Sequence, residues 1–382
     1  MRDEQTVQFG RVRRVLMTAD TIGGVWTYAV ELIRALERHG IEVLLATMGR
    51  PVSPEQREDL AGLGNVEVAE SSYRLEWMDD PWEDVAAAGD WLLGLNREFG
   101  PDIVHLNGYA HAALPWVAPK IVVAHSCVSS WWRAVKGGVA PENWQRYQRE
   151  VRAGLQAADL VIAPTHAMID CLAENYCDLP RARMIPNGRA LELFKAGKKE
   201  NFILSAGRLW DEAKNVEAVC ACSGELPWPV YVAGENECPD GSASKNAPAK
   251  SALVQANCLG RLRSREMIGW VSRAAIFAHP AKYEPFGLCV LEAALSGCAL
   301  VLGDIPALRE NWEGAAVFVN PVDHGALREA LLRLIKHPSE REQLGRAALE
   351  RGRQFDIRVA AERYVEAYEL MFVGKEELCA AG

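Results

Sequence analysis

Residues 278–304 read AHPAKYEPFGLCVLEAALSGCALVLGD, an almost wholly apolar stretch that nevertheless carries two carboxylates, Glu284 and Glu292. Charged groups are rarely left without partners in such surroundings, so each calls for a counter-charge or a ligand. A carboxylate accepts paired bonds from vicinal hydroxyls, which makes a ribose or a hexose a natural target. Glu284 follows the run AAIFAHP, Pro285 and Gly287 make a turn, and the spacing predicts a helix from Leu288 with Glu292 one turn inside it. The two carboxylates therefore do not share a helix face, and each can address a different part of one elongated ligand. The plainer alternative is a capping Glu284 and a solvent-facing Glu292.

Two further stretches could serve the same ligand. In TADTIGGVWTYAVEL, Gly23 and Gly24 lie between a strand and a helix N-terminus, where free amides and the helix dipole favour an anion. The pattern is not G-x-G-x-x-G and no acidic residue ends the second strand, which argues against a dinucleotide dehydrogenase. Taken alone, the pair also reads as a tight turn with packing duties only. In ILSAGRLWDEAKN, Arg208 and Lys214 follow a buried strand and could hold a diphosphate. They could equally be a solvated pair matched by Asp211 and Glu212.

The elements that must position these groups alternate regularly. Short β-branched runs (RVLMTAD, IEVLLAT, VEVA, DIVHLN, KIVVAHS, DLVIAPT) are separated by amphipathic segments, the pattern of a parallel sheet wound with helices. Val25, Tyr28, Ala29, Leu32, Ile33 and Leu36 form one apolar helical face closed by Gly40. After a polar, basic hinge at 187–201 the rhythm restarts with FILSAGR, VYVAGE, NCLGRL, AAIFAHP, CALVLGD and AAVFVNP. The final segment VAAERYVEAYELMF predicts a helix that packs back across the first domain, and residues 238–252 read as an exposed flexible loop. Ligands of such sheets bind beyond the strands' carboxyl ends, where Asp20, Asn107, His125 and Thr165 stand in the first half and Arg208, Glu235, Arg261 and Glu284 in the second.

Whole-chain properties bound the choice. A chain of 382 residues is long enough for two domains. The net charge of −9 argues against a nucleic-acid partner, and residues 1–187, with 18 Lys+Arg against 25 Asp+Glu, would be repelled by an anionic membrane. No run of eighteen apolar residues and no signal-peptide pattern occurs, and the ten cysteines are scattered, so a reducing, cytoplasmic setting without zinc site or disulfide framework is expected.

The order Gly-Gly after the first strand, Arg/Lys after the strand of the second half, then E-P-F-G-x-x-x-x-E, with VIAPTHAMIDCL, MIPNGRALELF and LGRLRSREMIGWVSRAAIFAHPAKYEPFGLCVLEAALSGCALVLGDIPALREN in their places, resembles the family 4 retaining glycosyltransferases of GT-B fold over nearly the whole chain. The resemblance implies an α/β architecture of two Rossmann-like, doubly wound domains facing across a cleft. Residues 1–187 with the helix 358–382 would bind the acceptor, and 188–357 the nucleotide-sugar donor. It implies that Glu284 holds donor-sugar hydroxyls and Glu292 the ribose, that backbone amides of Phe286, Gly287 and Leu288 meet sugar and phosphate, and that Arg208 and Lys214 grip the diphosphate. Gly23 and Gly24 would close over that diphosphate, main-chain atoms around Arg261 and Leu262 would read a base of uracil type, and His125 would stand beside the sugar's C6 hydroxyl and the reacting carbon. The implied reaction retains the anomeric configuration, with the leaving phosphate taking the acceptor's proton. No cofactor or metal ion is implied, in keeping with the lack of an aspartate-any-aspartate motif. Three positions depart from the pattern: the step from Arg208 to Lys214 is one residue longer, Arg189 replaces the usual apolar residue after Asn-Gly, and His279 replaces a small one and is taken as structural.

The acceptor is less defined. Eight of the twelve tryptophans lie in the first half. Trp26, Trp131 and Trp132, with Asn107, could contact a neutral sugar or an apolar acceptor, since indole faces stack on both, or they could simply pack the core. Arg133 and Lys136 could instead hold an acceptor phosphate. Two alternatives stay open beside the transferase, a nucleotide-sugar 2-epimerase, which would need acid/base groups around C2 that are not evident, and a non-catalytic UDP-sugar sensor, expected to have lost Glu284 or the basic pair; a glycosidase would need the carboxylates to flank one bond.

Overall fold

The computed structural model describes residues 12–236 and 256–380, with side chains as far as 374; the loop expected at 238–252 lies outside the described residues. Seven strands, β1 (Arg14–Asp20), β2 (Glu42–Met48), β3 (Val66–Glu70), β4 (Ile103–Leu106), β5 (Lys120–Val123), β6 (Leu160–Ala163) and β7 (Ala182–Met184), form one sheet in the order β3-β2-β1-β4-β5-β6-β7. Six more, β8 (Glu200–Ala206), β9 (Val230–Ala233), β10 (Asn257–Gly260), β11 (Ala274–His279), β12 (Ala299–Gly303) and β13 (Ala316–Val319), form a second in the order β10-β9-β8-β11-β12-β13. Every pairing is parallel, and the central strands are buried on both faces, which explains their near-continuous apolar sequence. The strand β7 is not among the runs read from the sequence: it has three residues, lies at the sheet edge and carries Arg183, so no alternation marks it.

In each sheet the strand order reverses direction once, between β1 and β4 and between β8 and β11. A crevice opens at such a switch point, beyond the carboxyl ends. Asp20 ends β1 and Asn107 follows β4; Arg208 follows β8 and His279 ends β11. The chain's polar, chemistry-bearing residues thus lie at the two switch points.

The C-terminal helix, Ile357–Ala380, crosses back as expected. Ala360, Ala361, Tyr364, Ala367 and Tyr368 are buried in the same core as Tyr28, Ala29, Leu32 and Ile33 of the helix Gly24–Leu36, so the last segment of the chain completes the first domain's hydrophobic layer. The two chain crossings meet at an isolated bridge between Arg189 and Asp356. Among the described residues no helix is long and apolar enough to cross a membrane.

Candidate active site

The two sheets face each other across a cleft of about 870 Å³ whose lining comes from both domains. Several contacts hold the walls together: Trp131 Nε1 donates to Asp211 Oδ1 at 2.9 Å, Lys136 Nζ to Glu212 at 2.7 and 2.8 Å, Cys127 N to the Tyr283 hydroxyl at 3.1 Å and Thr165 Oγ1 to the Pro285 carbonyl at 3.1 Å.

Glu284 lies on the cleft wall in the turn between β11 and the helix Leu288–Leu295. Its Oε2 receives Lys214 Nζ at 2.7 Å and His279 Nε2 at 3.1 Å. Both bonds fall on one oxygen and leave Oε1 to a ligand. Burial would raise this carboxyl's pKa, but the Lys214 charge and the His279 bond outweigh it and hold the group well below the ordinary carboxylate range. The fully buried His279 thereby fixes the orientation of Glu284. Lys214 is not the solvated partner of Asp211 or Glu212 that the alternative reading supposed; its contact is Glu284.

Arg208 behaves differently. Its NH2 donates to Asp211 Oδ2 at 2.7 Å and its guanidinium lies 5.0 Å from the Trp210 ring centroid. Across the cleft, Gly23 has φ +91°, a conformation that disfavours any side chain, and a β-carbon there would lie 3.8 Å from the Arg208 guanidinium. The glycine turn of one domain therefore sits directly over the cation of the other. The helix Gly24–Leu36 has no side-chain cap and no acidic residue in its first turn, and the same holds for Leu288–Leu295, so both present free amides to the cleft. Replacing Gly23 by Ala should cost about 1–3 kcal/mol in backbone strain at φ +91° and so displace the turn that lies over Arg208. A lowered melting temperature together with weaker nucleotide binding by calorimetry is the expected result; unchanged binding would show that the turn plays no part in it.

Glu292, one turn into its helix, is not solvent-facing either. Its Oε1 lies 3.2 Å from Arg189 Nε, and Arg189 NH1 lies 3.2 Å from Glu31 Oε1, with side-chain exposures of 14% for Glu292 and 5% for each of the others. The Arg189–Glu292 contact is ionic and lacks hydrogen-bond alignment. Burial and Glu31 raise the Glu292 pKa while Arg189 lowers it, and the net shift is upward. Arg189, the residue that departs from the pattern after Asn-Gly, is the counter-ion of the second glutamate. Glu31 and Arg189 could not have been paired from the sequence, because they are brought together only where the helix Gly24–Leu36 meets the interdomain crossing.

On the first domain's wall, His125 Nε2 lies 2.7 Å from Asn107 Oδ1. Asn107 Nδ2 donates to the Thr18 carbonyl at 2.6 Å, so its oxygen accepts and His125 carries its proton on Nε2. Burial pushes the His125 pKa down to about 3, which keeps the ring neutral and leaves Nδ1 as a bare acceptor. The same Asn107 oxygen lies 3.3 Å from Nε2 of the buried His105, whose Nδ1 is 2.6 Å from the Tyr368 hydroxyl. The chain Tyr368–His105–Asn107–His125 ties the crossing helix to the cleft. Asn107 reaches the lining, but its polar atoms serve this relay rather than an acceptor.

Other expected residues are placed elsewhere. Trp26 is 4% exposed in the first domain's core and donates Nε1 to Asp59 at 3.0 Å, so it is not an acceptor contact. Arg133 lies off the cleft lining, 3.9 Å from Glu174. Trp131 and Trp132 do line the cleft, their rings edge to face at 5.7 Å. Phe286, Gly287 and Leu288 line it too, although the Phe286 ring itself is buried against Phe355. Arg261 and Leu262, at the end of β10, are not among the described residues that line it; Arg261 is exposed and Leu262 packs on the second domain's core.

Two acidic residues of the first domain belong to the lining, Asp20, expected there at the end of its strand, and Glu76, which was not singled out. Glu76 accepts from Tyr109 N at 3.0 Å and Ala110 N at 2.8 Å, and burial raises its pKa. No sequence signal marks it, because an acidic residue in a loop ordinarily faces water and its partners lie over thirty residues away. Asp20, at the end of β1, is bonded by Ile22 N; burial, only partly offset by that bond and by Arg208, raises its pKa to about 7. The folded state then holds a proton that the unfolded chain releases, so stability present below about pH 4 is lost as pH rises toward 7, by up to about 1.4 kcal/mol per pH unit. Asp20→Asn should therefore raise the melting temperature at pH 8 and leave it unchanged at pH 4; equal effects at both values would show that burial does not govern this carboxyl.

Two Rossmann-like domains with switch-point sites on facing walls, closed by a helix from the chain's end, define a GT-B fold. Residues 22–193 match the Glycosyltransferase Family 4 description and residues 191–351 that of Glycosyl transferases group 1. The chain belongs to the family 4 type of glycosyltransferase. It is 26% identical over 384 residues to a D-inositol 3-phosphate glycosyltransferase of Xylanimonas cellulosilytica, covering 91% of each chain, and 25% identical over 394 residues to a glycogen synthase of Mycobacterium tuberculosis, again covering 91% of each. Among solved structures, sucrose-phosphate synthase from Thermosynechococcus elongatus superposes with TM-score 0.79 at 19% identity, covering 95% of this chain and 100% of that one. Anabaena HepE in complex with UDP and glucose superposes with TM-score 0.74 at 15% identity, covering 93% and 99%. These superpositions speak to the fold.

Proposed function

We propose that the protein moves a hexosyl group from a nucleoside-diphosphate sugar of UDP type to an acceptor hydroxyl, with retention at the anomeric carbon and without a metal ion. The observation that carries this reading is Glu284, a buried carboxylate kept ionised by Lys214 and His279 on one oxygen, with the other turned over to a ligand. Such a group binds donor-sugar hydroxyls. Glu292 takes the ribose, and the neutral Nδ1 of His125 accepts from a sugar hydroxyl near the reacting carbon. The acceptor oxygen attacks the anomeric carbon from the face that the diphosphate leaves. The bond from that carbon to the diphosphate breaks, its electron pair stays on the departing oxygen, and that oxygen takes the acceptor's proton. Arg208, Lys214 and the uncapped amides of the two helices neutralise the charge that develops there.

Donor recognition falls to residues 188–357 and acceptor recognition to 1–187 with 358–382. UDP and glucose are the ligands named for the Anabaena protein, which favours a UDP-sugar here. The scattered free cysteines fit a reducing, cytoplasmic compartment.

The test offers UDP-glucose, UDP-N-acetylglucosamine, UDP-galactose and GDP-mannose with mixed acceptors in the presence of EDTA and follows released nucleoside diphosphate and product anomer. Release with an axial linkage preserved is expected from one UDP-sugar. Binding of UDP-sugar with no release from any donor would favour a sensor instead, and conversion of the donor sugar without transfer an epimerase.

A further inference from the structure

Among the described residues that line the cleft, both cations, Arg208 and Lys214, lie on the second domain's wall, paired there with Asp211 and Glu284 and accompanied by Glu212 and Glu292. The first domain's wall contributes Asp20 and Glu76 and no lysine or arginine, beside the indoles of Trp77, Trp132 and Trp144. The basic residues that follow the tryptophan pair in sequence are engaged elsewhere: Arg133 turns toward Glu174 off the lining, and Lys136 holds both oxygens of Glu212. Arg74 lines only a small recess behind Glu76 and donates to the Asp79 carbonyl.

Glu76 is held in place rather than loosely exposed, because two backbone amides at the start of the turn Ala110–Ala113 fix its carboxylate. A carboxylate held this way still has lone pairs for hydroxyl donors, and the indole faces match the apolar faces of a sugar ring. At pH 8, above the raised value of Asp20, a phosphate brought to the same wall would meet the acidic side chains of Asp20 and Glu76 in a low-dielectric cleft and no lysine or arginine of that wall.

We propose that this wall takes an acceptor without phosphate or carboxylate, a sugar or cyclitol whose hydroxyls bond to Asp20 and Glu76 and whose ring lies on Trp77, Trp132 and Trp144, and that it rejects phosphorylated acceptors. The inference rests on the transferase reading and adds the acceptor class to it. In the transfer step the neutral acceptor's oxygen forms the new bond to the anomeric carbon and its proton leaves on the departing diphosphate, so the wall itself exchanges no proton.

The experiment uses the full chain with the four nucleotide sugars above, each labelled in its sugar. Acceptors are supplied as equimolar pairs: glucose with glucose 6-phosphate, fructose with fructose 6-phosphate, and myo-inositol with D-inositol 3-phosphate. Anion exchange then separates neutral from phosphorylated products. Label should enter the neutral product with a preference of at least about 100-fold. In Asp20→Asn and Glu76→Gln that preference should narrow about tenfold, while UDP affinity measured by calorimetry stays unchanged and shows that the variants are folded. Label in the phosphorylated product, a preference unmoved in both variants, or slow release of free labelled sugar with no neutral product would each overturn the proposal. Absence of both donor binding and donor turnover would instead overturn the transferase reading beneath it.

Discussion

Replacing Arg189 by Met should lower the free energy of unfolding by about 3–5 kcal/mol, the cost of breaking a buried ion pair by removing one partner. Arg189 is the shared cation between Glu31 on the first domain's helix Gly24–Leu36 and Glu292 on the second domain's helix Leu288–Leu295. Its removal leaves Glu292 without its cation and facing Glu31, which keeps only the half-exposed Arg34 at 3.5 Å and, because it also accepts Ala190 N at 2.9 Å, cannot simply swing to solvent. Without the cation, the Glu292 pKa rises further than burial and Glu31 already lift it. A raised carboxyl contributes stability at low pH that is lost as pH rises, so the variant's deficit should be larger at pH 8 than at pH 5. Adding Glu31→Gln and Glu292→Gln to Arg189→Met should recover much of the loss, since the penalty comes from unpaired charge rather than lost packing. Denaturant unfolding at the two pH values measures all of this; a deficit under about 1 kcal/mol would mean that water reaches the triad.

The second large effect is expected at Glu284. Glu284→Gln keeps the shape but removes the charge that accepts from sugar hydroxyls. Two hydrogen bonds to a charged group, at about 1.5–3 kcal/mol each, translate into roughly a 10²–10⁴-fold fall in kcat/KM. Lys214 also loses its counter-charge, and the amide that replaces Oε2 or Oε1 must face either His279 Nε2 or the ligand. Because the Glu284 carboxyl lies well below the ordinary range, the wild-type rate should show no acidic limb from this group between pH 5 and 8. Initial rates over that range, in both proteins, check the two statements together. A fall of less than tenfold in the variant would remove Glu284 from the donor-sugar contact.

His279 and Arg189 show why the site was only partly legible in the sequence. Both are positions at which the sequence reads as departing from the family pattern it resembles, and in sequence each is a local irregularity. In three dimensions each is the partner of one of the two glutamates: His279, five residues before Glu284, bonds to it because β11 ends where the Pro-Phe-Gly turn begins, and Arg189 reaches Glu292 across 103 positions through the interdomain crossing. Trp26 failed in the opposite sense. Next to the glycine turn in sequence, it points away from the cleft, because successive residues of a helix lie about 100° apart, and its immediate neighbours Val25 and Thr27 reach the lining instead.

By itself the sequence determined the alternation of strands and helices, the restart of the rhythm after the hinge, and the two glutamates with the turn between them. These follow from local periodicity and from the cost of an unpaired charge in an apolar run, both of which are properties of neighbouring residues. Only the tertiary structure decided which residues answer those charges, that Glu76 joins Asp20 on a wall without lysine or arginine while Arg208 and Lys214 stand on the other, and that Tyr368 reaches His125 through His105 and Asn107. Each depends on where two switch points and a crossing helix bring distant segments together. Burial then raises the pKa of Asp20 and Glu76 and lowers that of His125, shifts that no stretch of sequence encodes.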